Sequence, residues 1–218
     1  MARKPLIAGN WKMNNTVSEA VVLAQEIANG FERDWLDTVD VAVCPPYVDL
    51  KPVYAVFEFE KLERLAVRAQ NVFWEPSGAY TGEISIPMLR EIGCRYCIVG
   101  HSERRELFGE TNEDVNRKVR ALVSERPGEV QPIACVGESL AVRDEGAYIE
   151  YVNAQVRAAF AGVDASQAAE AVVAYEPIWA IGTGRTATPE QAQEVCCAIR
   201  ATLAELFGAE QAEAMRVL

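Results

Sequence analysis

The chain has 218 residues, half of them apolar, and 32 Asp plus Glu against 21 Lys plus Arg, a formal net charge of −11. A field of that sign repels a phosphate backbone at long range and argues against nucleic acid as a partner, yet a few local cations can still hold a small anionic substrate. No apolar run approaches the roughly 18 residues of a membrane span and no secretory leader opens the chain, so no membrane partner and a cytoplasmic location are expected.

The length suits one large core, and residues 1–218 are expected to form a single domain. Leu6-Ile7-Ala8 opens a first strand. A helix from about Ser18 to Asn29 follows, with Thr16 as cap and Glu19 completing a capping box. Val39 to Cys44 reads as a second strand stopped by Pro45-Pro46, with a helical segment from about Val48. Leu65 to Ala69 is a third strand, followed by a Gly- and aromatic-bearing loop from Asn71 to Glu83 and a short helix around Pro87 to Glu91. Tyr96 to Val99 is a fourth strand, and Thr111 caps a helix running to about Ser124. Val130 to Val136 and Ala171 to Tyr175 are the fifth and sixth strands, separated by a helix predicted over Glu145 to Phe160. Thr188-Pro189 with Gln191 starts a helix that Gly208 ends after Phe207, and Met215 to Leu218 begins a seventh strand.

Alternating strands and helices imply a parallel α/β sheet, and near-continuous apolar strands suit burial on both faces. A doubly wound open sheet and a closed barrel both fit this pattern. Of the six cysteines, Cys94 and Cys97 match C-x-x-C, but there is no second pair and Cys97 lies in an apolar run, which favours packing over redox or metal work.

In parallel α/β folds the chemistry collects after the carboxyl ends of strands. The polar residues there are Asn10 and Lys12, then His101, Ser102 and Glu103, then Glu138, then Glu176. His101 is the only histidine, which excludes a histidine metal cluster, and Arg104 breaks the G-x-S-x-G pattern of a serine nucleophile. One imidazole in this setting serves acid–base work or donates to a developing oxyanion, unless it is structural. Glu176 is followed by Pro177, an apolar stretch and Gly182-Thr183-Gly184. That is the composition of a stiff loop with flexible ends, as a lid beside a carboxylate base requires.

Three segments carry a resemblance: Gly9-Asn10-Trp11-Lys12-Met13, Gly100-His101-Ser102-Glu103-Arg104-Arg105, and Ala174 to Gly184. With Ala69-Gln70-Asn71-Val72, Gly78 to Glu83 and Cys135 to Glu138, they identify the chain as similar to the triosephosphate isomerases, from Pro5 to its end. The resemblance implies a (β/α)8 barrel that interconverts dihydroxyacetone phosphate and D-glyceraldehyde 3-phosphate. In this family Glu176 corresponds to the base and His101 to the neutral electrophile, a pairing for which the family is itself a standard illustration. It further implies that Lys12 and Asn10 bind substrate, that Gly182 donates its N–H to the phosphate and that Glu103 supports the site. No metal or organic cofactor is implied. A homodimer is implied, with Thr81 and Glu83 entering the neighbour and Arg104 pairing with Glu83. Such a barrel has about 250 residues, so most of strand seven and all of strand eight, with their phosphate loops, are expected to be missing. The alternative reading is an inactive barrel fragment that retains only the dimer surface.

Overall fold

Local chemistry at three threonines decides where helices begin. In the computed structural model, which describes residues 3–62, 64–124 and 129–218, Thr16, Thr111 and Thr188 each sit in extended backbone and head a capping box. The Glu19 carboxylate accepts the Thr16 amide at 2.8 Å, and Asp114 accepts the Thr111 amide at 3.0 Å. Gln191 accepts the Thr188 amide at 2.9 Å. Each box satisfies otherwise orphaned donors, at about 1 kcal/mol per cap.

The elements in chain order are β1 (Leu6–Asn10), α1 (Val17–Gly30), α2 (Trp35–Thr38), β2 (Asp40–Cys44), α3 (Tyr47–Phe59), β3 (Ala66–Val67), α4 (Ile86–Ile92) and β4 (Tyr96–Val99). They continue as α5 (Ser102–Phe108), α6 (Asn112–Val123), β5 (Gln131–Val136), α7 (Leu140–Asp144), α8 (Tyr148–Ala159), β6 (Val172–Tyr175), α9 (Pro189–Phe207), α10 (Ala209–Ala214) and β7 (Arg216–Val217). Among the described residues no helix is long and apolar enough to cross a membrane.

The chain divides into two compact units, one of residues 3–98 with 129–130 and one of residues 99–124 with 131–218. In the first, β1, β2 and β3 pair in parallel in that order, with Leu6 opposite Asp40 and Ala42 opposite Ala66. An isolated parallel bridge from Ala69 to Cys97 carries the order on to β4. The core of this unit lies where Leu50, Val53 and Phe57 of α3 meet Ala20 and Ala24 of α1, all fully or almost fully buried. In the second unit β5, β6 and β7 are parallel, with Ile133 opposite Val172 and Val172 opposite Arg216. All six residues of β5 are buried, as a strand covered on both faces requires. Val152 and Val156 of α8 and Val195, Ile199 and Leu203 of α9 are fully buried where the two helices pack. The Phe160 and Phe207 rings meet edge to face at 5.6 Å.

Four differences from the sequence reading have local causes. The helix predicted over Glu145 to Phe160 begins three residues later, as α8, because Gly146 turns left-handed (φ +76°) and separates it from α7, an element not predicted. Residues 102–108, for which no element was predicted, form α5, since Glu, Arg and Leu are good helix formers and Gly109 ends the turn at φ +68°. α10 fills the interval between Gly208 and the seventh strand, where no element was predicted. The third strand shrinks to two residues plus the Ala69 bridge.

Behind α5, Glu110 is buried and receives Arg104 Nε at 2.9 Å and Lys118 Nζ at 2.5 Å, with Lys118 also buried. Buried charge is tolerable only when paired, and removing Lys118 leaves Glu110 with the half-buried Arg104 alone. Lys118→Met is therefore expected to lower stability by about 2–3 kcal/mol, read as a shift in the urea midpoint at unchanged slope; an unchanged midpoint would contradict this reading of Glu110.

Candidate active site

Parallel pairing delivers the carboxyl ends of neighbouring strands to one edge, so the residues just past β4, β5 and β6 are the ones to follow within the second unit. Gly100 makes the turn after β4 with φ +72°, and a Cβ there would meet Val115 at 2.8 Å and Arg105 at 2.9 Å. His101 then becomes the N-cap of α5. Its Nδ1 accepts the Glu103 amide N–H at 3.2 Å. A nitrogen that accepts carries no proton, so the neutral ring keeps its hydrogen on Nε2. Nε2 lies 2.7 Å from Glu176 Oε1, and the other carboxylate oxygen accepts the Ser102 amide N–H at 2.9 Å. The start of α5 thus supplies one amide to the imidazole and the next to the carboxylate. The Glu103 carboxylate lies 3.6 Å from Nδ1 and is half-exposed.

Glu176 is held through its backbone as well. Its amide donates to the Val136 carbonyl at 2.8 Å, continuing the ladder between β5 and β6. Gly137 lies against it so closely that a Cβ would come within 2.0 Å of the Glu176 carbonyl oxygen. The Gly137 amide is bonded to Gln155 Oε1 at 2.8 Å, which fixes this approach from α8.

The segment after Glu176 has an anchored root and a loose tip. Glu138 is fully buried and its Oε1 receives Arg143 at 2.7 Å, the Trp179 indole at 2.8 Å and the Tyr175 hydroxyl at 3.0 Å. Arg143 also lies over the Trp179 ring at 4.6 Å and the Tyr148 ring at 4.4 Å. Burial first, then the charge of Glu138, push the Tyr175 phenol far above its ordinary range, so it stays a donor. Beyond Trp179 the chain becomes exposed. Gly182 and Gly184 turn left-handed at φ +68° and +76° with open space around both.

In the first unit, Asn10 ends β1 and its Oδ1 accepts the Lys12 amide at 3.0 Å. Lys12 adopts φ +55°, a conformation costly for a side-chain-bearing residue. Gln70 secures it, donating to the Lys12 carbonyl and to the Cys44 carbonyl, both at 2.8 Å. Thr81 and Glu83 are exposed on a loop packed on itself, with the Phe73 ring 4.2 Å from Trp74 and 4.6 Å from Tyr80. Arg104, expected to reach Glu83 of a neighbour, is bonded to Glu110 of its own unit and lies over Phe108 at 5.2 Å. Cys94 and Cys97 are buried free thiols, and burial pushes Cys94 up to about 11. Among the described residues no group of three or more His, Cys, Asp or Glu is placed to hold a metal ion.

The structure therefore joins His101 to Glu176, and Asn10 to Lys12. It adds roles for Gln70 and Gly137, which the sequence reading held only within resembling segments, and for Arg143 and Gln155, which it did not name. A polar residue one or two places past a strand was the available signal for Gln70; Gly137 and Gln155 meet 18 residues apart, and Arg143 is fixed by a buried carboxylate that only the fold reveals.

Fold and site define a parallel α/β protein whose strand ends are arranged for acid–base chemistry. The family model described as Triosephosphate isomerase matches residues 5–218, and the chain belongs to that family. It is 52% identical over 217 residues to the triosephosphate isomerase of Acetivibrio thermocellus, covering 100% of this chain and 83% of the relative. It is 50% identical to that of Saccharopolyspora erythraea and 49% identical to that of Corynebacterium efficiens, each over 218 residues, 100% of this chain and 82% of the relative.

Gly137→Ala tests the tight approach to Glu176. Overpacking against backbone is expected to cost about 1–3 kcal/mol and to displace Glu176 from His101. Chemical denaturation together with the imidazole 15N shifts of the single histidine reads both effects; unchanged values for both would rule out the close approach.

Proposed function

We propose that this chain interconverts dihydroxyacetone phosphate and D-glyceraldehyde 3-phosphate by proton transfer through an enediolate, as an enzyme of glycolysis and gluconeogenesis in the cytoplasm. The observation that carries the reading is the 2.7 Å contact between Glu176 and an imidazole whose proton is held on Nε2. Family membership supports it, since the relatives at about 50% identity bear the name of this isomerase.

Each group has a role set by its chemistry. The Glu176 carboxylate removes a proton from the carbon beside the ketose carbonyl, and the electron pair moves toward the carbonyl oxygen. His101 Nε2–H donates to that oxygen as charge develops, and a neutral donor suits a fleeting oxyanion because it need not accept a full charge. The hydroxyl proton on the first carbon passes to the former carbonyl oxygen by way of His101 Nε2, which gives its proton to one oxygen and takes one from the other. The protonated Glu176 then returns its proton to the carbon that bore the carbonyl, the electron pair left on the first oxygen closes the aldehyde, and the product is the aldose. Lys12 supplies fixed positive charge to the anionic substrate and Asn10 holds its backbone. Gly182, in the loose tip, offers an N–H to the phosphate, and Glu103 supports the imidazole. To act, Glu176 must leave the Ser102 amide, and movement of the segment rooted at Trp179 supplies that release while excluding water. The chain works as one βα-barrel domain and assembles as a homodimer through the loop bearing Thr81 and Glu83, with Arg104 at its edge.

The test is a coupled isomerase assay with purified variants. Glu176→Asp withdraws the carboxylate by about one methylene and is expected to lower kcat about 10²-fold with little change in KM. His101→Gln is expected to lower kcat by 10² to 10⁴, about the range of a lost acid–base group. Unchanged turnover in Glu176→Asp would overturn the mechanism. Sedimentation velocity addresses the assembly: a species of twice the 24.0 kDa chain mass is expected, and a monomer at micromolar concentration would remove the dimer.

A further inference from the structure

At the amino ends of the strands in the first unit, opposite the ends that carry Asn10 and Lys12, lies a cavity of about 370 Å³ lined by Asp40, Arg64, Ala66, Arg68, Arg95 and Tyr96. Asp40, Ala66 and Tyr96 are the first residues of β2, β3 and β4, so three adjacent strand starts form its floor. Its volume is in the range of sites for small molecules, about 300–1,000 Å³.

The charges around it are unevenly matched. Arg64 is paired with Asp37 at 2.9 Å, and Lys4 with Asp40 at 2.7 Å. Arg95 is exposed and makes no hydrogen bond or ion pair with a described residue. Arg68 is only 5% exposed, donates through Nη1 to the Val67 carbonyl at 3.1 Å and lies over the Tyr96 ring at 4.9 Å. Its Nε has no partner. Two guanidinium groups thus border one cavity without a carboxylate partner among the described residues, in a chain whose overall charge is −11. Burial lowers Arg68 to about 10, and the like charge of Arg95 acts in the same direction, yet it remains a cation at neutral pH. A buried cation without a counter-charge is costly, and the planar fork of a guanidinium matches an oxyanion through paired hydrogen bonds.

We propose that this cavity binds a small dianion of the phosphate class, held between Arg68 and Arg95 with Tyr96 beneath. Two unmatched charges call for a doubly charged ligand, and the unpartnered Nε of Arg68 supplies a donor already removed from water. Free phosphate and the phosphoryl group of a small ester share this chemistry.

The test is titration of the 15N-labelled full chain with inorganic phosphate at constant ionic strength, following the amides of Arg68, Arg95 and Tyr96. Saturable shifts at these three amides are expected. Arg95→Ala, which alters an exposed side chain, is expected to weaken binding about tenfold, with Arg95→Lys between the two because it keeps the charge and loses the fork. Phenyl phosphate titrated in parallel separates the sources: tighter binding than inorganic phosphate identifies an ester, and weaker binding the free ion. Shifts at Lys12 and Gly182 report the phosphate contacts of the proposed reaction, so the two readings fail separately. No saturable shift at the three amides up to about 10 mM phosphate, or equal affinity in Arg95→Ala, overturns the site.

Discussion

A carboxylate and an imidazole brought together away from water need every donor matched to an acceptor, or the pair neutralises or moves apart. Here the matching is done by the first turn of α5, whose amides have no helical partner of their own. The Glu103 amide occupies His101 Nδ1 and the Ser102 amide occupies the second oxygen of Glu176. Those two bonds decide which imidazole nitrogen carries the proton and which carboxylate oxygen faces it. They depend in turn on Gly100, whose left-handed turn starts the helix at His101, and on Gly137, whose missing side chain lets Glu176 come close to β5. The chemistry of the site is thus set by backbone geometry at two glycines and two amides.

The same backbone logic explains the root and tip of the segment after Glu176. A root must not move with the tip, and Glu138 collects three donors on one oxygen to hold Trp179, Tyr175 and Arg143 together. The second oxygen of Glu138 is buried without a partner, so the cluster is not a fully satisfied core network. Lys12 is held differently: its left-handed backbone is paid for by the Asn10 and Gln70 side chains rather than by packing.

Much of this was legible in the sequence where the cause is local. Thr16, Thr111 and Thr188 announce helix starts because cap and partner lie three residues apart, and Tyr96 to Val99 reads as a strand because a buried parallel strand is a bare apolar run. α7 and the turn at Gly146 that separates it from α8 were not legible, since a single glycine is also tolerated inside a helix and only its φ decides. α5 was not legible because its 7 residues are too few and too polar to show an apolar helical period. In the site, Glu138 is visible as a polar residue past a strand. Its partners are not, because Arg143, Tyr175 and Trp179 lie 5, 37 and 41 residues away and meet it only in the folded unit. The protonated nitrogen of His101 belongs to the same class, since it depends on an amide and not on residue identity.

An acidic chain must also place its cations with care, and it uses two different methods. Lys118, Arg143 and Arg104 are buried or half-buried against carboxylates, Glu110 and Glu138, that lie within eight residues of them, so they act as internal ties. Arg68 and Arg95 have no such neighbour among the described residues, and one of them is nevertheless buried. An aromatic face under a guanidinium offsets part of the desolvation, at about 0.5–2 kcal/mol, but supplies no acceptor for Nε. Where stability alone governs a position, an apolar side chain would serve position 68, just past β3, better than an arginine with an unmet donor. The arrangement becomes economical once the missing acceptor is an oxyanion drawn from solution, which both satisfies the donor and cancels the charge that burial opposes.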